Sequence, residues 1–250
     1  MASEDNTSKS TPVSVVFGGM HGSPRNIART FKENGHHVII VDKREAPDDG
    51  GETYCDHAIS ADLLDVDALP DIAAKIAAPY GRVTNIVYGF RFRGPEEQAW
   101  DGEIALGLTV PRVTIEHLLP YFSEGGSIVF ISSTASRFVA PTTSLAYQCV
   151  KAATDQMMRY YAYTLGPNGI RVNAVSPGFI VKDESMKYFL ADEEKAQRVY
   201  ADHPLRRIGK ADEIATVVNF LCDDASSFVS GQIIDIDGGL GVQQPGSGSW

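Results

Sequence analysis

The chain has 250 residues, room for one large α/β domain or two small ones, and its 43% hydrophobic content supports an ordinary globular core. A net charge of −10, from 22 basic and 32 acidic residues, offers no basic stripe to replace the counterions of a nucleic-acid backbone, so no nucleic acid is expected as a partner. No N-terminal apolar run suits a secretory signal, and no apolar stretch reaches the roughly 18 residues of a membrane span. Cys55, Cys149 and Cys222 are odd in number and widely spaced, with no metal-ligand spacing. The expectation is therefore a cytoplasmic protein with reduced thiols, no membrane partner and no metal.

Residues 1–11 are polar and rich in Ser, Thr and Asp, and are expected to form a disordered tail. Val13–Phe17 reads as the first strand. It runs into Gly18-Gly19-Met20-His21-Gly22-Ser23-Pro24, and a helix follows over Asn26–Glu33. A glycine turn at this point lets a pyrophosphate approach backbone N–H groups at the helix N-terminus, with Gly18, Gly22 and Ser23 as its contacts. A plain tight turn is the competing reading. Pro24 suits the first helical turn, where a missing N–H costs nothing. The second strand, Val38–Val41, ends at Asp42, 24 residues after Gly18, about where an acidic residue would accept hydrogen bonds from an adenosine ribose. A solvated aspartate at a strand end is the plainer alternative. A carboxylate there repels a 2′-phosphate, so NAD(H) is favoured; NADP(H) is the alternative, because Lys43 and Arg44 follow directly.

Further strands are read at Asn85–Val87, Ser127–Ile131, Arg171–Val175 and Gln232–Ile236. Helices are read over Val66–Ala77, Trp100–Tyr121, Ser144–Leu165 and Ala211–Leu221. Near-continuous apolar strands alternating with helices imply a parallel sheet covered on both faces. The interior has no Pro/Gly/Ser linker and no repeat. One doubly wound α/β (Rossmann) domain of about seven strands is expected over residues 12–240. Residues 181–204, with Met186, Tyr188, Phe189, Leu190 and Tyr200, are expected to form a lid, and 241–250 a loose tail.

Within the helix at Ser144–Leu165, Tyr147 and Lys151 stand one turn apart on one face. A nearby cation stabilises a phenolate, so such a tyrosine titrates below the usual ~10 and can exchange a proton with an alcohol or carbonyl oxygen. The pair alone is weak evidence; the order of the motifs around it gives it weight. Cys149, between the two, reads as core packing. Met157, Met158, Tyr160, Tyr161 and Tyr163 exceed what one sheet can cover, so a homotetramer, or at least a dimer, is expected.

Taken together, these residues resemble the classical short-chain dehydrogenase/reductase family from about Val13 to Gly239. After Gly18-x-x-x-Gly22 and Asp42 come Asp62-Leu63, where the family contacts adenine, and Trp100-Asp101, which opens the fourth helix. Ile131-Ser132-Ser133 and Tyr147-x-x-x-Lys151 follow, then Arg171-Val172-Asn173-Ala174-Val175-Ser176-Pro177-Gly178 and Asp237-Gly238-Gly239. The resemblance implies that Tyr147 is a general acid/base. It implies that Lys151 lowers the tyrosine pKa and holds the nicotinamide ribose, and that Ser133, or failing it Ser132, orients the substrate oxygen. Gly89 would approach the cofactor, and Pro177, Gly178 and Ile180 would line the nicotinamide. The implied activity is an NAD(P)(H)-dependent interconversion of a small secondary alcohol and its ketone.

Four positions depart from the family's pattern. Its third glycine is Pro24, and its Asn-Asn-Ala-Gly is Tyr88-Gly89-Phe90-Arg91. Its active-site asparagine falls at Gly107, which puts a water-mediated proton relay in doubt, and its carboxamide-holding threonine is Lys182. Arg91 or Arg93 would meet an anionic substrate, with surface solvation as the plainer reading. Three other readings compete. A divergent enoyl reductase spaces its tyrosine and lysine wider, and would need a tyrosine where Ser144 stands. A halohydrin dehalogenase carries arginine in place of Lys151. A non-catalytic nucleotide-sensing or scaffolding protein would leave the Ser–Tyr–Lys set idle.

Overall fold

The structure is a computed structural model that describes residues 10–44, 54–181 and 193–242. Seven strands form one parallel sheet: β1 (Val13–Phe17), β2 (His37–Asp42), β3 (His57–Ser60), β4 (Val83–Tyr88), β5 (Phe122–Ile131), β6 (Arg171–Pro177) and β9 (Ile233–Ile236). Their order is β3-β2-β1-β4-β5-β6-β9, so the chain winds outward from β1 in one direction and then crosses to wind outward in the other. The crevice between β1 and β4 is the place where such a sheet takes ligands. A two-stranded parallel sheet, β7 (Ile180–Val181) with β8 (Gly209–Lys210), lies beyond the end of β6.

Side-chain alternation along the strands builds two cores. Val13, Val15 and Phe17 of β1 join Ile39, Ile86 and Ile128 on one face, under α2 (Leu69–Ala77), α4 (Val110–Leu118) and α5 (Leu145–Leu165). Val16 joins Ile40, Val87 and Val129 on the other, under α1 (Gly22–Glu33) and α7 (Ala211–Cys222). Ser14 shares that second face inside the sheet, where its hydroxyl accepts the Asn85 amide at 3.0 Å. Among the described residues no helix is long and apolar enough to cross a membrane.

Several elements differ from the sequence reading. β3 was not expected; it is an edge strand with exposed polar residues, so it lacks the apolar run that marks its neighbours. The helix expected over Trp100–Tyr121 is a succession of α3 (Ala99–Ile104), a π-turn over Ala105–Thr109, α4 and a final 3₁₀ turn. Within the expected lid, Glu193–Asp202 forms α6, and Tyr200 packs with Val181, Ala196 and Ile208 in a small third cluster. Lys182, Met186, Tyr188, Phe189 and Leu190 lie outside the described residues, as do 1–9 and 243–250. Gly241, assigned to a loose tail, belongs to a 3₁₀ turn and donates its N–H to Asp237 Oδ2 at 2.7 Å. Cys149 is exposed, contrary to the core packing read for it. On α5, Met158 and Tyr161 are buried, whereas Tyr160 and Tyr163 are exposed.

The π-turn brings Gly107 against α5. A Cβ on Gly107 would stand 2.2 Å from Val150 Cγ1, so a valine methyl fills the space a side chain at 107 would take. At an open helical site Gly→Ala stabilises by about 1 kcal/mol. Here overpacking, which costs about 1–3 kcal/mol, outweighs that gain. Gly107→Ala is therefore expected to lower stability in urea unfolding, and the same change in a Val150→Ala background to raise it. Equal effects in the two backgrounds would disprove the contact.

Candidate active site

The C-terminal ends of the strands open onto one cleft of about 530 Å³. Gly18, Ser23, Asp42, Asp62, Leu63 and Gly89 line one part of it, and Ser133, Tyr147, Lys151, Pro177, Gly178 and Ile180 the rest. Among the site residues read from the sequence, Gly22 alone stays off the wall, buried at the first position of α1.

α5 positions the reactive end. Ser144 caps this helix, its hydroxyl accepting the Tyr147 N–H at 3.2 Å, and the apolar phase of the helix turns Tyr147 toward the cleft. One turn on, Lys151 is buried, and its Nζ donates to the Ile131 carbonyl at 2.6 Å and lies 5.6 Å from the Tyr147 ring centre. Burial lowers the Lys151 pKa to about 8; Arg91 pushes in the same direction, while Glu103 and Asp155 oppose it. The Arg91 guanidinium lies 4.7 Å from the same ring centre, so two cations flank the phenol. At the end of β5 the two serines separate. Ser132 is buried and donates to Asp155 at 2.5 Å, whereas Ser133 accepts the Ala135 N–H at 3.2 Å from a half-buried place on the cleft wall. Both serines line the cleft, but the Ser132 hydroxyl is committed to Asp155, whereas that of Ser133 donates to no protein group among the described residues.

Glu103 was not singled out in the sequence. It is 4% exposed on α3, accepts the Phe92 N–H, and faces Lys151, Arg91 and Arg93. Burial raises its pKa, and the amide and the three cations partly offset that rise. Its sequence signal was a lone acid one turn before Gly107, a pattern that solvated helix faces share.

The far end of the cleft fits a dinucleotide. α1 begins without a side-chain cap, leaving the N–H groups of its first turn for an anion such as a diphosphate. Gly18 takes a left-handed φ of 82° in the turn before it. Asp42 is buried, which works against its charge. Arg44, through its fork and its backbone N–H, and the Met20 N–H nevertheless hold the carboxyl below its usual range. Arg44 Nη2 and Nε stand 2.9 and 3.1 Å from the two carboxylate oxygens. A ribose diol would therefore share Asp42 with a half-exposed arginine, which the sequence reading did not foresee. Lys43 stands 3.6 Å from Asp62 on the same rim.

A family model described as Enoyl-(Acyl carrier protein) reductase matches residues 20–241. The chain is 31% identical over 241 residues to cis-4-hydroxycyclohexanecarboxylate dehydrogenase of Sinomonas cyclohexanicum, covering 91% of this chain and 95% of that protein. It is 30% identical over 241 residues to the human mitochondrial dehydrogenase/reductase SDR family member 2, covering 90% and 85%. The ligand-free aldohexose dehydrogenase of Thermoplasma acidophilum superposes with a TM-score of 0.82 at 28% identity, over 95% of this chain and 96% of that one. The chain belongs to the short-chain dehydrogenase/reductase family.

As a member of this family, it repacks two of the positions at which it departs from the usual pattern. A Cβ on Gly89 would stand 2.5 Å from Pro24 Cγ, so the proline ring occupies the space vacated where the family has an asparagine. At Gly107 the filler is Val150. Tyr88 is buried and shares a 2.7 Å hydrogen bond with Thr114, so it belongs to the core and not to the cleft.

The buried ammonium gives a pH signature. With a folded pKa of about 8 and an unfolded value near ~10.4, Lys151 binds more protons unfolded than folded between those pH values. Stability contributed at this site should therefore rise with pH across that window. Relative to Lys151→Met, the wild type is expected to gain at most about 1.4 kcal/mol per pH unit from pH 8 to 10, read from urea midpoints. A flat difference would mean that the ammonium is solvated.

Proposed function

We propose that the protein is a nicotinamide-dependent oxidoreductase that interconverts a small secondary alcohol and its ketone. The observation that carries this reading is the convergence of Ser133, Tyr147 and Lys151 on the cleft that also holds the nucleotide-type turn. A bound nicotinamide supplies or accepts the hydride. The protein's own residues do the rest. The Ser133 hydroxyl orients the substrate oxygen, and Tyr147 gives that oxygen a proton during reduction or takes one during oxidation. The Lys151 ammonium, 5.6 Å from the Tyr147 ring centre, stands beside the group that exchanges the proton. Pro177, Gly178 and Ile180 form the wall against which the ring would rest. The dehydrogenase names of the two relatives and the aldohexose dehydrogenase fold support the same class of reaction.

An enoyl reductase is the second reading, favoured by the description of the matching family model. The divergent enoyl reductases need a tyrosine seven residues before the lysine. That position is Ser144, which caps α5 and offers no phenol.

Tyr147→Phe is expected to leave NADH affinity unchanged in fluorescence titration and to lower turnover by about 10²–10⁴. Retention of most of the wild-type rate would rule out the mechanism.

We assign NAD(H) as the favoured cofactor, because the Asp42 carboxylate on the cleft wall at the end of β2 would repel a 2′-phosphate bound beside it. Wild type should bind NADH more tightly than NADPH, and Asp42→Ala should narrow or reverse that order. If wild type prefers NADPH, then Arg44 and Lys43 are phosphate ligands and the assignment is wrong.

A further inference from the structure

Between β4 and α3 the chain runs as Gly89-Phe90-Arg91-Phe92-Arg93-Gly94 along the cleft. Phe92 fixes this segment. Its ring is buried and fills the space next to Gly102 of α3, standing 2.2 Å from where a Cβ on that glycine would be, and its N–H is bonded to Glu103. The residues on either side, Arg91 and Arg93, both line the cleft. Both are exposed residues, and the Arg91 guanidinium lies over the Tyr147 ring, 4.7 Å from its centre. Arg93 feels burial first, then the positive charges of Arg91 and Arg44, with Glu103 and Tyr147 acting against them.

The partners of the other arginines set this pair apart: Arg82, Arg159, Arg171 and Arg206 donate to carbonyl, amide or hydroxyl oxygens, and others pair with acids. Arg44 is paired with Asp42, Arg112 with Glu116, Arg137 with Asp235 and Arg207 with Glu213. Among the described residues neither Arg91 nor Arg93 forms a salt bridge or donates a hydrogen bond to a carboxylate. Glu103 faces both, but it already accepts the Phe92 amide and shares its charge with Lys151. In a chain with ten more acids than bases (32 against 22), these two cleft-lining guanidiniums, which form no hydrogen bond or ion pair among the described residues, are open to an anion from outside.

We propose that Arg91 and Arg93 form a carboxylate-binding pair, and that the substrate is a hydroxy- or oxo-carboxylate held by its acid group while its carbinol or carbonyl carbon faces Tyr147. The planar fork of an arginine matches a carboxylate in a bidentate manner, and two forks hold it in one orientation. Arg91 lies at the Tyr147 ring, and Arg93 is within electrostatic reach of both Tyr147 and Arg44, while the uncapped start of α1 is left for a diphosphate. The inference rests on the oxidoreductase reading for where the reacting carbon sits.

The test compares 4-acetylbenzoate with 4-acetylbenzamide, two ketones of one shape that differ in charge. Calorimetric titration into the protein with NAD+ present, which cannot reduce a ketone, should give the benzoate at least a roughly tenfold lower Kd. Arg91→Gln/Arg93→Gln should abolish that preference and leave the Kd for NADH within about twofold of wild type. Wild type binding the benzoate no better than the amide overturns the proposal, and that comparison needs no variant. A variant that loses NADH affinity as steeply as benzoate affinity also overturns it, since the arginines would then serve the cofactor. Arginine-dependent benzoate binding without reduction of either ketone would sustain the anion site and count against the oxidoreductase reading alone.

Discussion

The Lys151 ammonium, buried against the last carbonyl of β5, fixes the geometry on which the rest of the site depends. Removing an ammonium from water costs several kcal/mol unless hydrogen bonds and opposite charge replace the lost solvation. Ile131 supplies the bond, at 2.6 Å, and Glu103 and Asp155 supply the charge. Tyr147, Lys151 and Asp155 are spaced by four and lie on one face of α5. Asp155 is itself tied to Ser132, the residue after Ile131. Two consecutive turns of α5 are thus fastened to two consecutive residues at the end of β5. A rotation of the helix that moved Tyr147 out of the cleft would strand a buried cation and a buried carboxylate together.

The departures at Gly89 and Gly107 look like damage when each position is read alone. In three dimensions each is one half of an exchange of volume. Space given up at Gly89 is taken by Pro24, and space given up at Gly107 is taken by Val150. Volume-conserving exchanges are the kind a close-packed interior tolerates best. The chemistry is not conserved with the volume, because a methyl group now stands where an amide would carry water. The nearest buried polar group on that helix is Glu103, one turn earlier and facing the same lysine.

Most of the fold was legible because the inner strands are apolar from end to end and the helices between them are periodic. β3 was not, because an edge strand with three exposed positions carries no such run. Cys149 was misread for a different reason. Its side chain is apolar enough for a core, but the buried positions of α5 follow the phase of Ala146, Val150, Thr154, Met158 and Leu165, and residue 149 falls outside that stripe. Periodicity decides burial where residue type is ambiguous. In the site, Tyr147, Lys151 and Ser133 were legible from the order of their motifs. The Arg44 fork on Asp42, the bond of Ser132 to Asp155 and the place of Glu103 were not. Each depends on a partner contributed by another residue or element, and linear spacing does not encode that.

The electrostatics of the cleft run against those of the chain. The whole molecule carries −10, yet Arg44, Arg91, Arg93 and Lys151 gather around one opening, with Asp42 and Glu103 as the buried acids among them. Exposed acids keep the surface soluble, and their mutual effects fade within about 8–10 Å in salt. Charges in a walled cleft are screened less, so its local sign decides what enters. A nicotinamide dinucleotide brings a diphosphate, and an acid substrate brings a carboxylate. Both would be repelled by the average surface and drawn only to this cleft. The burial that weakens the hold of Lys151 on its own proton also places its remaining charge where little water screens it from the Tyr147 ring, 5.6 Å away.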